Sequence, residues 1–192
     1  MFATAALAFS ALAAAGPAAD VETAGKGMTA SDEAFHLVVD LSDRQLHVVE
    51  NGETTASYDV AVGKPQHPTP RGEFRIRRIV WNPRWVPPDA AWARDKRPRA
   101  PGDPRNPMGK VKIFFQQPDY YIHGTRETDS LGQAESHGCV RMRNSEVVSL
   151  ARRVMANGGA PRSAGWFQRV INRVRSSQDV RLSDPVLVRV RA

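Results

Sequence analysis

Residues 35–63 read FHLVVDLSDRQLHVVENGETTASYDVAVG, and this stretch decides the fold class. Phe35–Leu41 is a run of large apolar and β-branched side chains, which favours an extended chain. Ser42, Asp43 and Arg44 then supply a polar break of the kind that reverses a strand. Between Gln45 and Glu50, Leu46 and Val48 alternate with polar residues, the two-residue period of a strand buried on one face. Asn51-Gly52 is a strong hairpin signal, because both residue types tolerate the positive φ of a tight turn. A third strand is expected over Thr54–Val62, closed by Gly63. This is a β-meander with little room for helix.

Working outward, a proline-rich loop from Lys64 to Gly72 leads into a fourth expected strand, Glu73–Val80. Residues 82–110 are again rich in proline and show no sustained period. A loop that long inside a compact domain is commonly functional, and Trp81, Trp85, Val86 and Trp92 offer apolar anchors for an ordered lid or wall. Strands are expected to resume at Val111–Phe115 and Tyr120–His123. Asn144 is expected to cap a helix whose apolar stripe is Val147, Leu150, Ala151 and Val154, ended by Asn157-Gly158. A second helix, capped by Ser163, is expected from Ala164 to Arg175. Two short strands, Asp179–Leu182 and Val186–Val190, complete the pattern. The expected fold is therefore mainly β with flanking helices.

On the other side of the meander, residues 1–19 carry no charge and are mostly Ala, Leu and Phe. They are too short to span a membrane and resemble the apolar part of a secretory signal, although no basic residue precedes them. Residues 20–33 read as a polar linker, leaving 34–192 as one domain of ordinary size. Export gives the cysteine count its meaning: a single cysteine, Cys139, excludes an intramolecular disulfide. A lone thiol in an oxidising compartment is buried, paired between chains, or used. The net charge of +7 is uneven, with excess base over 71–112 and 141–192. Those arginines are scattered without interleaved stacking aromatics, so the pattern does not favour nucleic acid over a carboxylate-rich wall polymer.

The informative residues are Ile122-His123-Gly124-Thr125 and Ser136-His137-Gly138-Cys139-Val140-Arg141-Met142. A thiol is only a few per cent ionised at neutral pH and needs a base or an electropositive setting. His123 and His137 are the available imidazoles. The stretch between Thr125 and Glu135 is long enough to fold back and bring His123 against Cys139. Gly138 permits a tight backbone path, placing the Gly138 and Cys139 amides where they could hold an oxyanion. Arg141 is a fixed cation suited to a substrate carboxylate or to a structural ion pair.

These residues also carry a resemblance. The run from Leu131 to Met142, with its S-H-G-C-x-R core and the upstream I-H-G, resembles the signature of the L,D-transpeptidase (YkuD-type) catalytic domain. Thr69-Pro70-Arg71-Gly72-Glu73-Phe74 is similar to that family's T-P-x-G-x-F segment. Asn82-Pro83-Arg84-Trp85 and Asn106-Pro107-Met108-Gly109 are similar to its substrate loops. The resemblance implies a mixed β-sandwich or barrel, with Cys139 as nucleophile and His123 as base, oriented by a backbone carbonyl. It further implies that His137, Gly138 and Ser136 shape the pocket and oxyanion site, and that Arg141, Gly124 and Thr125 stabilise the site or its substrate. The implied substrate is a peptidoglycan stem peptide, acylated onto Cys139 and passed to an amine, with no metal or organic cofactor. The implied location is the cell envelope, in the periplasm, for a monomer with no stable membrane insertion.

Rival readings remain at this point. Water in place of an amine makes a carboxypeptidase or a cross-link hydrolase. A zinc site built on His123, His137 and Cys139 lacks a convincing fourth ligand. A non-catalytic wall-binding module would keep the fold without the chemistry. His36, His47 and His67 are read as strand or loop residues, with His67 the one nearest the proline loop.

Overall fold

A computed structural model describes residues 29–173 and 175–192. The expected signal, 1–19, and the linker residues 20–28 lie outside the described residues. The meander forms β1 (Phe35–Asp40), β2 (Gln45–Glu50) and β3 (Glu53–Asp59), all antiparallel neighbours. Arg44 and Asn51 adopt φ values of 55° and 51° at the two reversals. The expected third strand is divided: β3 stops at Asp59, and Val62–Gly63 forms a separate strand, β4. After it come β5 (Gly72–Trp81), β6 (Val111–Gln116), β7 (Tyr120–Thr125), β8 (Ala134–Ser136), β9 (Val140–Arg143) and β10 (Gln178–Arg191).

Eight strands make one sheet in the order β3-β2-β1-β10-β5-β6-β7-β9, with β4 and β8 paired separately. Ala61, just past β3, exchanges two backbone hydrogen bonds with Arg141 of β9, at 3.0 and 2.9 Å. That bridge brings the sheet's two edges together, so it curls into a nearly closed barrel. β10 is one strand where two were expected. Its register shifts between Arg181 and Val186, and Pro185 there cannot donate to the ladder, so the pattern reads as a break although the strand continues.

The helix α2 (Asn144–Asn157) buries Val147, Leu150, Ala151, Val154 and Met155 against the sheet and ends at Gly158. The helix α3 (Ala164–Asn172) is capped by Ser163, whose side chain accepts from the Trp166 amide, and it stops short of the expected Arg175. Trp81 joins the two helices: its indole N–H donates to Met155 sulfur at 3.3 Å, and its ring packs 5.4 Å from that of Phe167. Asn144 is not the helix cap. Arg143 occupies that position without a side-chain bond, while the Asn144 amide accepts from the Lys110 N–H at 2.9 Å and donates to the Thr125 carbonyl at 3.0 Å. Two strand-end backbone groups outcompete the cap for this side chain.

The stretch read as a linker acquires structure at its end. Ala30–Ala34 forms a single helical turn, α1, closed by a capping box between Thr29 and Asp32. Asp32 is 1% exposed and forms a bidentate pair with the Arg75 guanidinium. That guanidinium, with help from Thr29, holds the Asp32 carboxyl well below the usual carboxylate range. Asp32→Asn is expected to lower stability at pH 7 by about 2 kcal/mol, less than a fully buried pair because Arg75 is partly exposed. A depressed carboxyl pKa adds stability above the unfolded value, near 4, that is lost as pH falls through the folded one. Urea unfolding should therefore show wild type and variant separated at pH 7 by a gap that narrows as pH falls from 4 to 2; a constant gap would exclude the charge as the cause.

Candidate active site

Strand alternation builds one face of the site. β6 and β7 pair Lys112 with His123 and Phe114 with Tyr121, while β7 and β9 run parallel with Ile122 beside Val140 and His123 beside Arg141. Successive side chains point to opposite faces. Ile113, Ile122, Val140 and Met142 therefore go to the core, each 0% exposed. Lys112, Phe114, Tyr121, His123 and Arg141 go to the other face. Cys139, one residue before β9, lies alongside Tyr121 in the same alignment.

The approach to Cys139 is held by Ser136 and Gly138. β8 is anchored on β4, with Gly63 beside Ser136. The buried Ser136 hydroxyl donates to the Cys139 carbonyl at 2.5 Å and accepts from the Gly138 amide at 3.1 Å. The Gly138 amide is thus engaged with Ser136, where the sequence suggested an oxyanion donor. Gly138 has φ +101°, and a Cβ there would meet the Tyr120 ring at 2.7 Å, so only glycine makes this turn without displacing its neighbours. Gly124 is similarly confined, since a Cβ would run into the Asn144 amide oxygen.

His123 is 3% exposed, and its Nδ1 lies 2.9 Å from the Gly124 carbonyl. That carbonyl can only accept, so Nδ1 carries the proton and Nε2 is left with its lone pair. Burial pushes the imidazole down to about 3, which makes it neutral over the ordinary pH range. Burial also pushes the Cys139 thiol up, opposed by the Tyr121 amide and hydroxyl and by the Lys112 and Arg141 charges. The Cys139 sulfur donates to the Asp119 carbonyl at 3.3 Å. The resting pair is therefore a neutral thiol and a neutral imidazole, with no preformed ion pair.

Cys139 and His123 line a cavity of about 870 Å³ together with Ser136, His137, Arg141 and Thr125. Arg141 is bound to Glu127 at 2.9 Å, and Thr125 Oγ1 accepts from the Glu127 amide at 3.1 Å, so both brace the rim. The 82–110 excursion forms the opposite wall. It is ordered by the Trp85–Arg99 bridge and by Asn106, whose amide donates to the Pro83 carbonyl at 2.8 Å. From its single 3-10 turn, Trp92 stacks on His137 with centroids 4.0 Å apart, and the His67 ring lies 5.0 Å from the same imidazole, tilted to it. His67 therefore belongs to the site's margin, whereas His36 and His47 bond to Asp32 and Ser57 elsewhere. Among the described residues no three His, Cys, Asp or Glu side chains are grouped to hold a metal ion, and no helix is long and apolar enough to cross a membrane.

A model of the L,D-transpeptidase catalytic domain, YkuD, matches residues 34–188. The chain belongs to the L,D-transpeptidase family. It is 33% identical over 124 residues to YkuD of Bacillus licheniformis, a stretch covering 65% of this chain and 62% of that protein. It is 29% identical over 122 residues to ErfK/SrfK of Escherichia coli, covering 59% of this chain and 39% of that one. Both relatives are named as L,D-transpeptidases, and the matched stretch spans less than two thirds of either. The solved catalytic domain of the E. faecium L,D-transpeptidase superposes with a TM-score of 0.52 at 18% identity, covering 83% of this chain and 98% of that domain. At that identity the likeness speaks for the fold, which is the L,D-transpeptidase one. Within it, the sequence pointed to Cys139, His123 and their immediate neighbours, and to Trp92 as an apolar anchor of the 82–110 wall, but gave no role to Lys112 and Tyr121. The two-residue alternation of β6 and β7 was a signal for those two. For Trp92 only the partner, His137, was not foreseen.

Proposed function

We propose that the chain is a peptidoglycan L,D-transpeptidase that forms a thioester between Cys139 and a tetrapeptide stem and passes the acyl group to an amine. The observation that carries this reading is a half-buried thiol and a buried, neutral imidazole on one cavity of peptide-accommodating size. As sulfur attacks the carbonyl of the stem's third residue, His123 Nε2 takes the thiol proton. With the Gly138 amide engaged, the Cys139 amide stabilises the developing oxyanion. Collapse breaks the amide C–N bond, and the proton on His123 leaves with the D-alanine amine. The acceptor, the side-chain amine of a second stem in a 3–3 cross-link, gives a proton to His123 as it attacks. The C–S bond then breaks and sulfur recovers that proton. The Gly124 carbonyl orients the imidazole, while Ser136, Thr125 and the Arg141–Glu127 pair keep the walls in place. The enzyme acts in the cell envelope, in the periplasm, after export, as a monomer without metal or organic cofactor.

Intact-protein mass spectrometry after incubation with disaccharide-tetrapeptide, beside analysis of the muropeptides, tests this. A cross-linked dimer with an adduct confined to Cys139 is expected. Tripeptide as the sole product would make water the acceptor and the protein a carboxypeptidase. Neither adduct nor product would overturn the reading in favour of a wall-binding module.

A further inference from the structure

The face that carries Cys139 also carries a cation that the acyl-transfer scheme does not use. Lys112 Nζ stands 4.1 Å from the centre of the Tyr121 ring and 5.7 Å from that of Phe114. Among the described residues Lys112 makes no ion pair. Arg78 also lies over Phe114, 5.0 Å from its centre, and is itself neutralised by Asp179. Tyr121 packs edge-on to His123, 5.5 Å between centroids, and lies beside Cys139 in the β7–β9 alignment. Its ring therefore carries an unpaired ammonium at a strand position next to the candidate nucleophile.

We propose that Lys112 and Tyr121 act as a unit that makes Cys139 more acidic, with the Tyr121 hydroxyl donating to the sulfur and the Lys112 ammonium polarising that phenol through its ring face. By that hydrogen bond Tyr121 is a further catalytic residue, placed beside Cys139 where β7 runs along β9; Lys112 acts through it and is a positioning residue. An ammonium on an aromatic face withdraws density from the ring and strengthens the attached O–H as a donor. Burial and the neighbouring sulfur keep the Tyr121 hydroxyl protonated, so it stays a donor throughout. Burial pushes Lys112 down to about 8, while the proximity of Cys139 favours its charged form. The ammonium is thus present at neutral pH and is reinforced when sulfur ionises.

The other groups around the sulfur do not replace this unit. On β7 and its preceding turn are His123, neutral, and Asp119, whose carbonyl takes the thiol hydrogen bond. His137, on the bend, is held below its usual value by burial and by Lys64, His67 and Arg141, and is engaged with Trp92. On β9 the charge of Arg141 is shared with Glu127. Lys96 and Arg97 belong to the far wall of the cavity, on the 82–110 excursion.

The inference rests on Cys139 being the reactive thiol of the proposed function, but its test needs no wall substrate and so fails separately. The full chain holds one cysteine, so alkylation by iodoacetamide followed by intact mass reads Cys139 alone. Lys112→Met is expected to lower the alkylation rate at pH 7, where the ammonium is present, by about threefold, a loss of thiolate partly offset by its greater nucleophilicity, and to change it little at high pH, where Lys112 is already neutral. Lys112→Arg should keep the rate at pH 7 close to wild type, because a cation again covers the ring. Tyr121→Phe, which keeps the ring and its packing, should lower the rate at pH 7 as well, and adding Lys112→Met to it should lower it little further. A Lys112→Met profile superimposable on wild type would overturn the proposal. So would a Lys112→Arg loss as large as that of Lys112→Met, which would make packing the cause. Should Lys112→Met fail to fold, the arginine and phenylalanine variants decide the matter by themselves.

Discussion

Replacing Cys139 by alanine is expected to abolish acyl transfer, by at least about 10⁴-fold, while leaving the fold intact. The two halves of that expectation have separate causes. No other cysteine can substitute, and a thioester requires the sulfur. The conformation of the turn is held by backbone groups: Ser136 binds the Cys139 carbonyl and the Gly138 amide, and β9 is fastened to Ala61 by two hydrogen bonds. The lost sulfur was half-buried at the floor of an open cavity, so its removal creates no closed void and should cost less than about 1 kcal/mol. Muropeptide turnover and thermal unfolding, measured on the same preparation, check both. Retained turnover above about one per cent of wild type would remove Cys139 from the chemistry.

His123→Gln should lower turnover by about 10²- to 10⁴-fold and also change how stability depends on pH. The glutamine amide can still donate to the Gly124 carbonyl, so the strand-end geometry survives while the basic lone pair is lost. In the wild type, burial holds the imidazole at about 3, against about 6.5 in the unfolded chain. Between those values the unfolded state binds the extra proton and the native state does not, so stability declines as pH is lowered from 6.5 towards 3. Above 6.5 neither state is protonated and the penalty vanishes. The variant has no such group and should lose a few kcal/mol less across that window. Parallel curves of unfolding free energy against pH for the two proteins would show that the imidazole is not held neutral. In the activity profile of the wild type, the acid limb should fall well below the ordinary histidine range, since the base stays unprotonated there.

Much of this molecule is legible in its sequence. Leu46 and Val48 alternating before Asn51-Gly52 predicted the meander, and Val147, Leu150, Ala151 and Val154 predicted α2, because such patterns act between neighbours along the chain. The motif around Cys139 and the upstream Ile122-His123-Gly124 was equally plain. Where the sequence misled, a distant partner had changed the role of a residue. Asn144 reads as a helix cap but is claimed by Lys110 and Thr125, and Asp32 reads as linker but is ordered by Arg75. The break at Pro185 reads as two strands because a bulge and a chain end look alike until the neighbouring strand is known.

The sequence by itself therefore determined the strand-rich class and the family, and it nominated Cys139 and His123 as the candidate thiol and imidazole. Only the tertiary structure decided that the thiol and imidazole rest neutral, that the Gly138 amide is engaged by Ser136, that Trp92 covers His137, and that Lys112 stands over Tyr121. Those features depend on desolvation and on which strands lie side by side. Both are set by packing between segments far apart in the chain, which no local period records.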